Sequence, residues 1–354
     1  MDRLKRFLKI IENNNIDALL VTGIPNIRYI SNFTGEDGFL LGVGTEVYLI
    51  VDSRFTMQAK SEVRKGINVV EYKGRLPLFL QQMLISKKTH WLGIEKSRIN
   101  YSLYSSLESI PFLKIVPTND LVEEMRIVKD KEEIETMKRA FKSSTKSFNE
   151  VLPFIKEGVS EKDIAAELEF RFRKNGGEKP SFDTIVASGE RGAFPHGVAS
   201  DKKIKANEPI VIDFGLFYHG YATDTTRTVV LGKPNDEFKK VYQIVKDAQA
   251  LGRDVVKSGV KACDVDKIVR DFIKEKKYGD FFTHGLGHGV GLEIHENPSV
   301  NESSTFTLED NMVITIEPGI YLQGKFGIRI EDTILVTKEG YVNFVGITHD
   351  LITL

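Results

Sequence analysis

The chain carries one cysteine, Cys263, which excludes an internal disulfide and any cysteine-rich zinc site and fits a reducing, cytoplasmic setting. An excess of charge of one sign is missing too. With a net charge of −1, nothing favours a nucleic-acid or anionic-membrane surface. No apolar run approaches the ~20 residues of a membrane-spanning helix. The stretch MDRLKRFLKIIENNN intersperses charges at helical spacing, which is not the pattern of a secretory signal. The triplets at Asn32 and Asn301 match a glycosylation motif that carries no weight without secretion. What is present is a globular composition, 41% apolar and 28% charged, long enough at 354 residues for two domains.

Leu4, Phe7, Leu8 and Ile11 recur at helical spacing and predict a first amphipathic helix. DALLVTG from Asp17 reads as a buried strand, the polar stretch after it as a connection, and FLLGVG from Phe39 and VYLIVDS from Val47 as paired strands. Strand-like runs from Asn68, His90 and Leu113 alternate with helix-like segments around 56–65, 76–87 and 100–108. This predicts an α/β domain over residues 1–118, with no dense set of His, Asp or Glu and so no chemistry. The charged segment 119–130 reads as a linker and helix start. Over 131–354 the order helix, helix, strands occurs twice: helical faces at 134–148 and from a helix start at Ser160, then a strand from Phe182 and a hairpin at 210–231. Helical patterns at 236–257 and 264–277 follow, with strands at 281–294, 311–317 and 328–336. Two αα-β halves facing each other across an internal pseudo-symmetry axis would place a site between them.

Three of the seven histidines, His284, His288 and His295, fall in the glycine-rich stretch THGLGHGVGLEIHE. Its glycines argue against a helix; as a strand, the period of two puts His284, Leu286 and His288 on one side, and the glycines let a backbone or ligand approach closely. In VIDFGLFYHGYATDTTRTVV, a turn centred between Tyr218 and His219 sets Asp213 directly opposite Asp224. Such pairs lie roughly 4.5–5.5 Å apart at Cβ, and like charges there destabilise unless something positive sits between them. Glu317 ends an apolar strand just before Pro318-Gly319, where an uncompensated charge is costly. In GIRIEDTILV, Arg329 and Glu331 share a face, and a salt bridge alone would explain that pair. Four carboxylates and one imidazole in strand context form an oxygen-rich donor set, and two divalent cations would balance the four charges. Such ligation suits Mn, Co or Zn better than copper.

The spacing of Asp213, Asp224, His288, Glu317 and Glu331, with the flanks HGLGHGVGLEIHE, IEPG and RIED, resembles the five-ligand signature of the pita-bread metallopeptidases. The resemblance implies an α+β chain whose C-terminal region, 131–354, has the creatinase and aminopeptidase fold with pseudo-twofold αα-β halves, behind a smaller creatinase-type α/β domain. Because of that extra domain the chain is similar to the Xaa-Pro peptidases, aminopeptidase P and prolidase. The likeness places Asp213 on one metal ion, Asp224 and Glu331 between both, and His288 and Glu317 on the other, with Glu317 doubling as general base. It also implies His196, in AFPHG, near the substrate, His295 stabilising the tetrahedral intermediate, His284 on the substrate side, and Arg329 orienting a ligand carboxylate. The activity expected is removal of an N-terminal residue from peptides with proline in second position, as in aminopeptidase P, by a homodimer. Prolidase, confined to dipeptides, is the alternative, and a non-catalytic binding module the third reading.

Overall fold

Leu4, Phe7 and Ile11 do share one buried face, on helix α1 (Arg3–Asn13), in a computed structural model that describes residues 3–354. Contacts divide the chain into two units, one ending at Arg126 and one running Ile127–Leu354. In the first unit α1 is followed by β1 (Ala18–Val21), α2 (Ile24–Ser31), β2 (Phe39–Val43), β3 (Glu46–Val51), α3 (Thr56–Glu62) and β4 (Ile67–Glu71). Then come α4 (Leu76–Ser86), β5 (Trp91–Glu95), α5 (Tyr101–Glu108) and β6 (Lys114–Thr118). The six strands form one mixed sheet in the order β4-β3-β2-β1-β5-β6, with β1 antiparallel to β2 and parallel to β5. Leu20, Leu41, Ile50, Leu92 and Ile94 from the sheet bury against Leu80, Leu84, Leu103 and Leu107 from α4 and α5.

Helix α2 lies where the sequence suggests only a connection. Pro25 in its first turn and Ile27 and Ile30 at helical spacing are the signal, and Asn32 ends it in the left-handed region at φ 68°. Residues 119–130 hold α6 (Leu121–Ile127), with Val122 and Met125 buried.

The second unit begins with α7 (Lys131–Val151) and α8 (Glu161–Lys174). Both start in a reciprocal capping box, Asp130 with Glu133 and Ser160 with Asp163. Strands β7 (Lys179–Pro180), β8 (Ile185–Ser188), β9 (Pro209–Phe214), β10 (Leu216–Tyr218), β11 (Tyr221–Ala222) and β12 (Thr225–Val230) follow. Helices α9 (Asp236–Asp254) and α10 (Ala262–Glu275) then open the second half. Its strands are β13 (Gly287–Gly289), β14 (Glu296–Val300), β15 (Val313–Ile316), β16 (Gly319–Leu322), β17 (Phe326–Arg329), β18 (Asp332–Val336) and β19 (Tyr341–Asn343).

The halves repeat one plan. In the first, β9 lies between β12 and β8; in the second, β15 lies between β18 and β13, and all four pairings are antiparallel. Each inner pair is joined through a smaller hairpin, β10–β11 in one and β16–β17 in the other. Val245, Val265 and Val269 from α9 and α10 pack with Ile314, Ile316 and Ile328 in a continuous core.

The glycine-rich stretch departs from the expected strand at 281–294: only Gly287–Gly289 is paired, and β14 begins at Glu296. Its glycines admit backbone, since a Cβ on Gly287 would lie 2.1 Å from Thr315 O and one on Gly289 2.3 Å from Asn297 O.

Candidate metal centre

A cavity of about 470 Å³ in the second unit is lined by every side chain singled out from the sequence: His196, Asp213, Asp224, His284, His288, His295, Glu317, Arg329 and Glu331. Three of the carboxylates stand where the strand ladder stops. Asp224 immediately precedes β12, Glu317 follows β15, and Glu331 lies between β17 and β18. At two of these gaps the backbone bonds to another segment, Glu317 N to Leu286 O (2.8 Å) and Glu331 N to Thr226 O (3.1 Å), and the side chains line the cavity.

Asp213 and Asp224 are not directly opposed. The hairpin turns at His219-Gly220, both with positive φ (47° and 76°), and pairs Tyr218 with Tyr221. In that register Asp213 faces Thr226, and Asp224 comes level with Gly215, where any Cβ would strike Thr223 O at 1.9 Å. The two aspartates keep a common face but sit diagonally, with the Thr226 hydroxyl in the opposed place. That hydroxyl donates to Glu331 Oε2 at 2.8 Å and accepts from Arg329 Nε at 3.0 Å.

His288 and Leu286 part company with the expected alternation: Leu286 is buried in the core, whereas His284 and His288 face the cavity. His288 Nε2 lies 3.4 Å from both Asp224 Oδ2 and Glu317 Oε1. Thr315 aligns both sides of this contact, accepting from His288 N (3.0 Å) and donating to Glu317 Oε1 (3.1 Å). Asp224, His288 and Glu331 each present a ligand atom within 4.8 Å of the others.

The electrostatics show a site short of positive charge. Burial pushes Asp224 up to about 7, with the Asp213 and Glu317 charges adding to it against the pull of His288. Burial likewise raises Asp213 despite Arg329, and raises Glu331 well above the carboxylate range with Asp224 and Glu317 adding to the effect. For His288, burial alone would lower the pKa, but the Asp224 hydrogen bond and the Glu317 charge outweigh it and bring the imidazole up to about 9. Two buried acceptors, Asp213 Oδ1 and Glu331 Oε1, have no hydrogen-bond partner. Orphaned oxygens are costly in an ordinary core. Four converging carboxylates, one imidazole and two unpaired oxygens are what divalent cations would satisfy, so the donor set fits them.

Arg329 does not pair with Glu331, as a shared face had suggested. It donates to Asp213 Oδ2 (2.5 Å), to Pro195 O (3.1 Å) and to Tyr321 Oη (2.7 Å). Tyr321 was not read from the sequence, nor were Thr226 and Thr315. Its signal lies in the β16–β17 register, which faces Arg329 with Gly319 and puts Tyr321 two residues along on the same side. Tyr321 Oη lies 2.8 Å from His284 Nε2, and His284 Nδ1 lies 2.8 Å from Gly285 O. A carbonyl only accepts, so Nδ1 carries the proton and Nε2 accepts from the phenol. Burial and the nearby Arg329 charge lower the His284 pKa, in keeping with a neutral ring. His196 and His295 stand exposed at the rim; the His295 ring centroid is 4.4 Å from that of His288, and burial and the His288 charge lower its pKa.

Behind Glu331 the next residue, Asp332, is fully buried and satisfied. It accepts from Arg227 (2.8 Å), Gln249 (3.0 Å) and Asn343 (2.8 Å) and meets His349 Nε2 at 2.6 Å. Burial alone would raise its pKa, but the Arg227 charge and His349 hold it well below the usual carboxylate range. Arg227 also donates to Glu331 O at 2.5 Å.

The doubled αα-β plan and an acid-rich cavity of metal-type donors define a metallopeptidase of the pita-bread class. The model of metallopeptidase family M24 matches residues 135–338, and that of the creatinase/prolidase N-terminal domain matches residues 3–128. The chain is 40% identical to the Xaa-Pro dipeptidase of Pyrococcus furiosus over 96% of each chain. Among solved structures it resembles an Xaa-Pro dipeptidase from Bacillus anthracis (TM-score 0.97, 39% identity, covering 100% of this chain and 99% of that one). It also resembles an X-Pro aminopeptidase from Thermotoga maritima (TM-score 0.92, 41% identity, 100% of both). The chain belongs to metallopeptidase family M24. No helix among the described residues is long and apolar enough to cross a membrane.

Proposed function

We propose that this chain hydrolyses the bond between an N-terminal residue and proline, with Xaa-Pro dipeptides as its substrates. The observation that carries the reading is the convergence of five metal-type donors and three further histidines on one cavity. The sequence put aminopeptidase P first; the likeness to the dipeptidases of Pyrococcus furiosus and Bacillus anthracis supports putting dipeptides first instead. Cleavage of longer Xaa-Pro peptides is the second reading, favoured by the likeness to the Thermotoga maritima aminopeptidase.

In this reading Asp213, Asp224, His288, Glu317 and Glu331 hold two divalent cations, Mn, Co or Zn. The unpaired oxygens of Asp213 and Glu331 support it. Bound there, the cations supply positive charge for the scissile carbonyl oxygen and acidify the attacking water. The remaining work falls to side chains. Glu317, held by Thr315 and by its own N–H to Leu286 O (2.8 Å), takes the water's proton and passes it to the departing proline nitrogen. An Xaa-Pro bond is a tertiary amide without an N–H, so recognition rests on its carbonyl and on groups at the rim. His196 and His295 are the donors placed there. Arg329 fixes Asp213, and the Tyr321 hydroxyl keeps His284 neutral. The family likeness adds a homodimer, which sedimentation of the purified protein tests.

Glu317→Gln should leave the protein folded and lower kcat by about 10²–10⁴-fold. Near-normal turnover of an Xaa-Pro dipeptide by that variant with saturating Mn²⁺ would remove Glu317 as the general base, and no turnover by the unaltered chain under the same conditions would remove the peptidase assignment. Turnover of an Xaa-Pro-Xaa tripeptide as fast as the dipeptide would replace the first reading by the second.

A further inference from the structure

His196 has no anchor of its own. Among the described residues its ring makes no hydrogen bond, so the backbone of the segment carrying it decides where the imidazole points. That segment leaves β8 at Ser188, makes a 3₁₀ turn over Gly189–Ala193, passes Pro195, His196 and Val198 along the cavity and returns at Ser200. Both of its ends meet on one side chain. Glu161, the first residue of α8, is 0% exposed. Its Oε1 accepts from Ser188 N (2.7 Å) and Ser188 Oγ (2.9 Å). Its Oε2 accepts from Ser200 N (3.1 Å), from Ser200 Oγ (2.7 Å) and from Arg191, whose guanidinium also donates to Val198 O at 2.8 Å. One carboxylate oxygen thus holds the outgoing chain and the other the returning chain.

A purely local role does not account for this carboxylate. The start of α8 is already capped by Ser160 and Asp163, so Glu161 is not needed there. A buried, charged acceptor with five donors costs much to desolvate, and every donor belongs to the two ends or the body of one loop. From the opposite half, Arg329 donates to Pro195 O at 3.1 Å.

We propose that Glu161 is a positioning residue for His196: it closes the 188–200 loop and so sets where the imidazole meets substrate. The proposal rests on the reading of His196 as a group that meets substrate.

The test is a double-mutant cycle on the Mn-loaded full chain with an Xaa-Pro dipeptide, using Glu161→Gln, His196→Ala, His295→Ala and the two pairs that include Glu161→Gln. Glu161→Gln should lower kcat/KM by about 10–100-fold, as expected when a reacting group is displaced by about an ångström, with bound Mn unchanged. In the His196→Ala background it should cost nothing further, and in the His295→Ala background its full factor. A full loss that persists without His196, a fall in bound Mn, or no loss at all overturns the proposal. If His196→Ala alone is fully active while Glu317→Gln is dead, the His196 assignment fails and takes this proposal with it, while the metal reading stands. Should Glu161→Gln fail to fold, Ser200→Ala removes one hydroxyl and leaves the charge. It should give a smaller loss that again vanishes without His196, and an independent loss overturns the proposal.

Discussion

Glu331 and Asp332 are neighbours in sequence, both carboxylates and both buried, yet their surroundings are opposite. Asp332 gathers donors from Arg227, Gln249, Asn343 and His349 and is held strongly acidic, whereas Glu331 keeps one oxygen with no partner and is held well above its usual pKa. A strand alternates its faces, so a single step along the chain moves from one environment to the other. The difference separates two uses of buried charge. A satisfied carboxylate fastens elements together, and an unsatisfied one waits for a ligand.

Breaking the satisfied side should have the largest effect on the fold. Arg227→Met leaves Asp332 buried without its main counter-charge and should cost about 3–5 kcal/mol, read by thermal or urea denaturation of the metal-free protein. Thr226→Val probes the border. It removes the hydroxyl that orients Glu331 and meets Arg329, and should weaken Mn²⁺ binding by about 10–100-fold in calorimetric titration while the metal-free protein, left with two unpaired buried groups, loses about 1–3 kcal/mol. Glu331→Gln should do the reverse of Arg227→Met: the metal-free protein gains stability of the order of 1–3 kcal/mol at neutral pH, and added Mn²⁺ no longer raises its melting temperature. A melting point lowered as far as by Arg227→Met would erase the distinction between the two carboxylates.

The smallest effect is a slope. Asp213, Asp224 and Glu331 have folded pKa values above their unfolded ones, so the folded state binds more protons. Their contribution to the metal-free protein is therefore most favourable below the unfolded carboxylate pKa. It is lost as pH climbs through the folded values, about 7 for Asp224. Asp332, with a depressed pKa, has the opposite sign: its stabilisation is present above the unfolded value and lost on acidification. Melting temperatures of metal-free Asp224→Asn and the unaltered chain, compared from pH 5 to pH 8, should converge at the acid end and separate toward neutrality, with the variant the more stable.

The sequence contained the membership of the site but not its wiring. The carboxylates ending apolar runs and the histidines of the glycine-rich stretch were legible from the residues themselves, whereas His196, in a loop, was reached only through the family resemblance. Register is dictated by the turn, and placing it one residue early made Asp213 face Asp224 instead of Thr226. The signal was His219-Gly220, a pair suited to two positive φ angles. A shared strand face suggested a salt bridge between Arg329 and Glu331, because period-two reasoning sees one strand at a time, whereas the carboxylate Arg329 holds, Asp213, comes from the other half. Leu286 left the face of its neighbours because a glycine-flanked segment that pairs over only Gly287–Gly289 has no strict alternation to obey. Glu161 carried no signal beyond an acidic residue in a helical first turn, since what distinguishes it is a loop that returns from Ser188 to Ser200.

The two halves of the second unit exchange bonds rather than merely meeting. Thr226 of the first half holds Glu331 of the second, and Thr333 of the second holds the Asp224 carbonyl of the first. Neither half therefore satisfies these polar groups on its own. A protein nicked between β12 and α9 should survive only as a reassembled pair, with each fragment a template for the other.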